Sequence, residues 1–314
     1  MWLRLGMDPN DKSTWSQERV HMPVLNREEV ATFAPKVNRY TLRRIASCID
    51  TSRIRKAWGA IVELLGGEDR IDEAASSWGD SFIVNFGTPE CADAPSPDPR
   101  DLNNWHVDGD FFIHYLDSPE QALLVIPVFS DIKPRGGGTY IAPGGVDMVA
   151  QYLLAHPEGV IPENLTFRPS TSTAARPEDD PGFWSHLAEA KKCTKFVEVT
   201  GDVGDVVLLH PLMLHTASKN NLRVPRVITN PPVGLREPFN FNRDDPDDYS
   251  LVERKTLRAL GVEKIDFVPT TQRRRIVPAR VLREQAMLAA ERERLSTQPP
   301  IAGVSTSAVL IPVA

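Results

Sequence analysis

The chain has 314 residues, of which 41% are hydrophobic and 25% are charged, a composition that excludes whole-chain disorder. Its 42 acidic and 36 basic residues give a net charge of −6, so neither nucleic acid nor an anionic membrane is expected as a partner. No apolar run reaches the ~20 residues of a spanning helix, and Met1–Asn10 lacks a signal-peptide core. Cys48, Cys91 and Cys193 are too widely spaced for a disulfide framework. We therefore expect a cytoplasmic protein with reduced thiols.

The N-terminal quarter of the chain is predicted to be helical. Asn26 followed by Glu29 is typical of a capped helix start. Between Ser52 and Leu65, apolar residues recur at the spacing of one helical face, and Gly66 and Gly67 then end the helix. We interpret this apolar face as core packing.

Short β-rich runs begin near Ser81 and are separated by clusters of Pro, Gly and Asp, a pattern that predicts strands. The predicted strands are Ser81–Phe86, Phe111–Tyr115, Ala122–Phe129, Thr139–Ala142, Phe196–Val199, Val206–Leu209 and Arg226–Pro231. Two long loops, Thr88–Asn104 and Glu163–Pro181, lie among them. Each loop is either a lid or binding loop or a surface insertion, and the sequence does not decide between these.

After Pro238 the pattern becomes helical again. Helices are predicted over Asp247–Leu260, ending at Gly261, and over Pro278–Leu295, with a tail from Ser296. The order of elements predicts a mainly β core with flanking helices in one domain, 1–314. Residues 1–80 would form a helical support, residues 81–237 the β core, and residues 238–314 a helical extension with its tail.

The segment Trp105–Asp110, with the sequence WHVDGD, is the first candidate site. Residues two apart in an extended strand point to the same side, so His106 and Asp108 can face one metal ion. A second imidazole further along the chain would complete a face of two histidines and one carboxylate, which suits non-haem Fe(II) and oxygen chemistry. An H-x-D tripeptide alone is more often a surface histidine beside a solvated aspartate. His210 and His215 compete for the third position.

Arg226 lies eleven residues after His215, a distance at which an antiparallel return could bring its guanidinium near the metal. A dicarboxylate co-substrate needs such a partner, because guanidinium binds carboxylate through two parallel hydrogen bonds. The alternative is an arginine whose stem packs while its head reaches solvent.

Three stretches together resemble the phytanoyl-CoA dioxygenase-like branch of the Fe(II)/2-oxoglutarate oxygenases. They are WHVDGD, PRGGGTYIAPG and GDVVLLHPLMLHTASKN, with Arg226 beyond, and they lie within the region from Ser81 to Leu235. The resemblance implies a double-stranded β-helix, the cupin-like jelly roll, with helices on its outer face. It implies iron ligands at His106, Asp108 and His215. It also implies that Arg226 pairs with the C5 carboxylate of 2-oxoglutarate and that the Thr139 hydroxyl contacts the same co-substrate.

The implied activity is that of a dioxygenase that uses Fe(II), 2-oxoglutarate and O2 to oxidise a small organic substrate, with release of succinate and CO2. Hydroxylation in secondary metabolism is the simplest expectation, and desaturation, ring formation and epoxidation remain open. His114 and His210 then become supporting residues rather than ligands. Asn85, Trp105 and Phe112 are candidate substrate contacts, although packing explains each of them as well.

Two other classes of protein remain open. One is a jelly-roll binding protein without turnover, which the complete ligand set argues against. The other is a cupin-like metalloenzyme that does not use 2-oxoglutarate and has no need of Arg226. The C-terminal helix could pack on the β core or on a second copy of the chain in a homodimer.

Overall fold

The computed structural model describes residues 1–23, 51–72, 81–92, 94–161, 190, 192–278 and 280–297. The predicted helix start at Asn26, the loop Glu163–Pro181 and the tail from residue 298 onward lie outside the described residues. The chain divides into two compact units, residues 1–16 with 280–314 and residues 17–279.

The described elements are five α-helices and nine strands, together with short 3-10 turns. The helices are α1 (Trp2–Leu5), α2 (Thr51–Leu65), α3 (Gly145–Ala155), α4 (Leu251–Leu260) and α5 (Arg280–Thr297). The strands are β1 (Arg19–His21), β2 (Ile83–Asn85), β3 (Leu123–Pro127), β4 (Thr139–Ala142), β5 (Val197–Val199), β6 (Val206–Leu209), β7 (Leu214–Ala217), β8 (Arg226–Ile228) and β9 (Pro232–Val233).

In the smaller unit, α1 and α5 lie together. Arg4 of α1 donates to the Glu291 carboxylate of α5 at 2.8 Å, and both side chains are largely buried. The rings of Trp2 and Trp15 stack with centroids 5.6 Å apart. The predicted helix Pro278–Leu295 is confirmed by α5, shifted by two residues at each end.

In the larger unit, the strands form three antiparallel sheets with the orders β1-β2-β8, β6-β3-β9 and β5-β4-β7. An isolated bridge between Val128 and Ile228 links the first two sheets, and another between His106 and His215 adds a chain segment beside β7. Strands distant in sequence are therefore neighbours in space, and these pairings position the site described below.

The core of this unit lies between the sheets and the helices α2, α3 and α4. Apolar side chains from these helices and from the two sheets that contain β3 and β4 meet in one buried cluster, which includes Ile61, Leu65, Leu123, Val125, Val146, Val149, Leu153, Val252 and Leu257. A second cluster joins β3 and β6 to Ile228 of β8. Burying such side chains is worth roughly 1.5–3 kcal/mol each, which is the main force that holds the sheets and helices together. No helix in the described part of the chain has the length and apolar character needed to cross a membrane.

The prediction of a strand over Phe111–Tyr115 is wrong. Phe112 bridges Arg275 and His114 bridges Val160, so the segment touches two partners in turn and forms no continuous ladder. Gly109 has a positive φ of 118°, which turns the chain just before this segment. Helix α3 was not predicted because it begins with a glycine, Gly145, after Gly144 at the N-cap position, and has no capping side chain.

Candidate metal centre

His106 and His215 are held side by side by the backbone. The amide of His106 donates to the carbonyl of His215, and the amide of His215 donates to that of His106, both at 2.9 Å. This pair of hydrogen bonds sets the two imidazole rings 4.3 Å apart between centroids. Two histidines from distant parts of the sequence thus become neighbours on one side of the sheet.

Asp108 completes the group. Its Oδ1 lies 3.4 Å from Nε2 of His106 and 3.5 Å from Nε2 of His215. The three donor atoms all lie within 4.8 Å of one another. Metal–ligand bonds of about 2 Å place neighbouring donor atoms roughly 3 Å apart, so small side-chain movements would bring all three onto one ion. The donor set of two imidazoles and one carboxylate suits non-haem Fe(II).

Hydrogen bonds on the far side of each ligand fix its orientation. Nδ1 of His106 donates to the carbonyl of Asn104 at 2.7 Å, and Nδ1 of His215 donates to that of Met213 at 3.0 Å. Because a carbonyl oxygen only accepts, Nδ1 of each imidazole carries a proton, and Nε2 is the atom whose lone pair the neutral ring would offer to a metal. Asn230 donates from Nδ2 to Oδ2 of Asp108 at 2.7 Å, which leaves Oδ1 for a metal.

The electrostatics of this group favour a bound cation. Burial raises the pKa of Asp108, but His215 and His106 outweigh it and hold that pKa well below its usual value. Burial lowers the pKa of His106, but its hydrogen bond and charge interaction with Asp108 raise it above the usual value. The carboxylate is therefore ionised and attracts positive charge, which a divalent metal supplies better than a proton.

Arg226 lies on β8 and is 1% exposed, so its head does not reach solvent. It donates from Nε to the carbonyl of Gly137 at 2.8 Å and from Nη1 to that of Ile83 at 3.3 Å. Among the described residues no carboxylate forms an ion pair with it. Burial, with a smaller effect from Arg19, lowers the pKa of Arg226 to about 9, so the group is still charged at neutral pH. A buried cation of this kind is costly unless an anion joins it.

Thr139, the second residue predicted to contact 2-oxoglutarate, lies on the same side of its sheet as the candidate metal ligand His215. Thr139 of β4 opposes Ala217 of β7, and Ile141 opposes His215. Residues two apart share a face of a strand, so Thr139 and His215 point to the same side. Thr139 is buried.

Two of the predicted substrate contacts have structural partners. Asn85 donates to the carbonyls of Gly137 and Ser218 and accepts from the amide of Gly87. Trp105 is 2% exposed and donates from Nε1 to the carbonyl of Pro99. Packing and hydrogen bonding account for both residues, and their contact with a substrate stays a prediction.

His210 lies apart from the three ligands. Its Nε2 bonds the hydroxyl of Thr256 at 3.1 Å and its Nδ1 accepts from the amide of Leu212 at 3.2 Å. His114 bonds the carbonyl of Gly109 through Nε2 at 2.8 Å and stacks on Phe112. Burial lowers the pKa of each of these histidines to about 4. Both rings are neutral at physiological pH.

Several residues near the centre were not predicted from the sequence. The sequence indicated Asn230 only as part of the predicted strand Arg226–Pro231, because no local pattern reveals a hydrogen bond to Asp108. His21 of β1 keeps part of its side chain exposed to solvent. Protein packed around its ring nevertheless lowers its pKa, and the charges of Asp108, Arg226 and His106 all act on it. Two of the three candidate ligands, Asp108 and His106, and also Arg226, therefore interact electrostatically with His21.

A small recess, partly open to solvent, adjoins Asp108. Its walls are mainly apolar and include Phe112, which the sequence indicated as a candidate substrate contact. The residues that line it are Asp108, Phe112, His114, Tyr115, Leu116, Ser118, Gln121, Pro211, Leu212 and Phe239.

Comparisons with known proteins return solved structures alone. No protein-family model matches the chain, and no curated protein matches it. The non-heme alpha ketoglutarate dependent epimerase SnoN from nogalamycin biosynthesis is 18% identical, with 73% of this chain and 82% of that chain covered and a TM-score of 0.28. SnoN in complex with Fe3+, alpha ketoglutarate and nogalamycin RO is 15% identical, with coverage of 88% and 96% and a TM-score of 0.28.

A third solved structure is the non-heme alpha ketoglutarate dependent carbocyclase SnoK from nogalamycin biosynthesis. It is 14% identical, with 84% of this chain and 93% of that chain covered and a TM-score of 0.28. Similarity at this level establishes neither a shared fold nor a shared activity, so the proposals below rest on the geometry of the site.

Proposed function

We propose that this protein is an Fe(II)/2-oxoglutarate-dependent oxygenase that oxidises a small organic molecule, most simply by hydroxylation. The observation that carries the proposal is the convergence of the donor atoms of His106, Asp108 and His215 in the same unit as Arg226, a buried cation with no carboxylate partner among the described residues. The sequence motifs that resemble the phytanoyl-CoA dioxygenase-like family contain the three donor residues, and Arg226 follows the last motif. A role in secondary metabolism is part of the same proposal.

The residues of the site would have separate roles in binding the metal and the co-substrate. His106, Asp108 and His215 would hold the iron on one side and leave its other positions open. Arg226 would pair with the distal carboxylate of 2-oxoglutarate, and Thr139 would add a hydroxyl contact. When bound, iron with 2-oxoglutarate and O2 supplies the oxidising chemistry, while the protein supplies orientation and a site shielded from water.

We infer further that the sheets belong to the predicted jelly roll. The bridge between Val128 and Ile228 joins two of the sheets into one array with the order β1-β2-β8-β3-β6. The bridge between His106 and His215 adds the segment around His106 to the third sheet, beside β7, which gives the order His106 segment, β7, β4, β5. Each array takes strands from both halves of the chain, as the two facing sheets of a jelly roll do. This alternation supports the inference.

The test is an anaerobic titration of the metal-free protein with Fe(II) and then 2-oxoglutarate, followed by the weak visible charge-transfer band of the chelated co-substrate. We expect the band in the wild type and its loss in His215→Ala. His210→Ala is the matched control, since His210 lies in the same run but bonds Thr256 instead. Absence of the band in iron-loaded wild type would overturn the proposal.

Arg226→Met, together with an assay of succinate release in air, distinguishes the proposed oxygenase from the other two classes. Loss of an arginine–carboxylate pair should raise the 2-oxoglutarate concentration that half-saturates the band by about tenfold to a hundredfold. A cupin-like enzyme that does not use 2-oxoglutarate would be indifferent to this change. A binding protein without turnover would give the band but release no succinate in air.

A further inference from the structure

Strand β1 carries a second arginine on the same side of the sheet as Arg226. In the register of the sheet β1-β2-β8, Arg19 opposes Asn85, and Asn85 opposes Arg226. Residues directly opposite each other in a sheet lie on the same side, as do residues two apart in a strand. Arg19 and His21 of β1 therefore lie on the side that holds Arg226.

That side of the sheet faces the candidate metal centre. Ile83 and Ile228 lie on it and belong to one apolar cluster together with Ile141 of β4. Ile141 directly opposes His215, so the cluster joins the two sheets on the side of the ligands. The charges of two candidate ligands also act on His21. The space next to the metal centre is therefore bounded on one side by β1.

Arg19 lies at the open edge of this space and has no close anionic partner. Its side chain is 33% exposed, and its Nη2 lies 3.9 Å from Oε1 of Glu18, which is too long for a hydrogen bond. That oxygen instead accepts from Nζ of Lys219 at 3.0 Å. Within the part of the chain that the structure describes, no group hydrogen-bonds the Arg19 guanidinium. It can therefore pair with an incoming anion.

The charges of the loaded centre would leave Arg19 unbalanced. The charges of a divalent iron and Arg226 equal those of Asp108 and dianionic 2-oxoglutarate, and Glu18 and Lys219 balance each other. One further negative charge would match Arg19. The charge of Arg19 also lowers the pKa of Arg226, and an anion bound at Arg19 would relieve this repulsion.

We propose that Arg19 binds a carboxylate group of the substrate, and that the substrate is a small organic acid with a single negative charge. The guanidinium fork matches a carboxylate, whereas a phosphate monoester would bring excess negative charge. Arg19 and Arg226 lie two strand spacings apart, about 10 Å between backbones, so each can hold its own carboxylate. Arg19 is then a specificity-determining residue. This inference rests on the proposed function, because it takes the neighbouring site as loaded with iron and 2-oxoglutarate.

The test compares acids with their primary amides on the full chain, loaded anaerobically with Fe(II) and saturating 2-oxoglutarate. The probes are benzoate and benzamide, and cyclohexanecarboxylate and cyclohexanecarboxamide. The members of each pair have nearly the same shape and differ in charge. Calorimetric titration measures the dissociation constants. We expect each acid to bind about tenfold more tightly than its amide, the effect of a charge-assisted hydrogen bond at a partly exposed position.

Arg19→Met removes the charge, and the preference for acids over amides should fall to nearly one. Arg19→Lys keeps the charge without the fork and should keep part of the preference. Arg258→Met, at an exposed position of α4, is the matched control and should keep all of it. The thermal midpoint of Arg19→Met should be close to that of the wild type, because the substitution lies at a partly exposed edge strand.

The co-substrate provides a second readout. In Arg19→Met, the 2-oxoglutarate concentration that half-saturates the charge-transfer band should stay within about threefold of the wild-type value, since a partly exposed charge at this distance is screened. Arg226→Met should raise it by about tenfold or more. A rise of equal size in both variants would mean that both arginines hold 2-oxoglutarate, and it would overturn the proposal.

Two further results would overturn the proposal: acids that bind no more tightly than their amides, and a preference for acids that survives in Arg19→Met. If either is found while the charge-transfer band forms, this proposal fails and the proposed function stands. If the preference depends on Arg19 but no band forms, the anion site stands and the oxygenase proposal fails.

Discussion

Asp108 uses its two carboxylate oxygens for different purposes. Oδ1 faces the two imidazoles, whereas Oδ2 accepts a hydrogen bond from Asn230 at 2.7 Å. A partner of this kind orients the ligand before the metal arrives, and its removal typically weakens metal affinity tenfold to a hundredfold. Asn230 is therefore part of the metal centre although it would not touch the ion.

Asn230→Ala should weaken Fe(II) binding by about tenfold to a hundredfold while the fold is retained, because a competing rotamer of Asp108 becomes available. The measurement is an anaerobic competition titration against a chromophoric chelator. Asn242→Ala, at an exposed position, is the control and should bind Fe(II) like the wild type. Equal affinity of the Asn230 variant would show that Asp108 needs no such support.

His210 should make the protein sensitive to acid. Burial lowers the pKa of His210 from 6.5 to about 4. Between these two values His210 is protonated in the unfolded chain and neutral in the folded chain. Stability from this group is complete above pH 6.5 and is lost as the pH falls toward 4. The slope is at most about 1.4 kcal/mol per pH unit. His114 should act in the same direction, since its pKa is also about 4.

His210→Gln should reduce the loss of unfolding free energy between pH 7 and pH 5 by up to about 2 kcal/mol. Urea unfolding followed by circular dichroism at the two pH values measures it. The variant will be less stable than the wild type at pH 7, so the difference between the two pH values is the quantity to compare. The same pH dependence in variant and wild type would mean that His210 has the same pKa in the folded and the unfolded chain.

At the scale of elements, the sequence predicted well those segments whose signal is local. The strands Thr139–Ala142 and Val206–Leu209 have the predicted bounds, and helix α2 begins one residue before its predicted start. The sequence failed to predict elements whose formation depends on tertiary contacts. Strand β1 has three residues and is ordered by pairing with β2, and α3 needs Gly145 because a Cβ there would lie 2.6 Å from Leu214.

Helix α4 shows how caps set the bounds of an element. The sequence predicted a start at Asp247, but Asp245 caps a separate 3-10 turn and the helix begins after Ser250. The Ser250 hydroxyl accepts from the amide of Glu253, and the Glu253 carboxylate accepts from the amide of Ser250. The helix ends at Gly261, which has a positive φ of 72° as the sequence predicted for a stop.

Ser250→Ala should destabilise the protein by about 1 kcal/mol, because the amide of Glu253 loses its acceptor at a buried position. Ser250→Thr keeps a hydroxyl and should lose less. Chemical unfolding of the two variants and the wild type measures the difference. If alanine and threonine destabilise equally, packing at position 250 matters and the cap does not.

At the scale of the whole molecule, the candidate site was predictable only in part. The spacing of His106 and Asp108 and the resemblance of the three motifs named the donor residues that the structure brings together. The hydrogen bond of Asn230 to Asp108 joins segments far apart in sequence, and no local pattern encodes such a pairing. Predicting it would have required the strand register itself.

The metal centre connects two distant segments of the larger unit, so metal binding should stabilise that unit as a whole. An unfolded chain does not hold His106, Asp108 and His215 together, and a ligand that binds only the folded state adds about 2.7 kcal/mol at a hundred times its dissociation constant. For a unit of this size that corresponds to a rise of roughly 5–10 °C in thermal midpoint. Anaerobic calorimetry with and without Fe(II) measures the rise, and Asp108→Asn should abolish most of it. A rise of equal size in that variant would place the metal elsewhere in the molecule and would remove the main support for the oxygenase proposal.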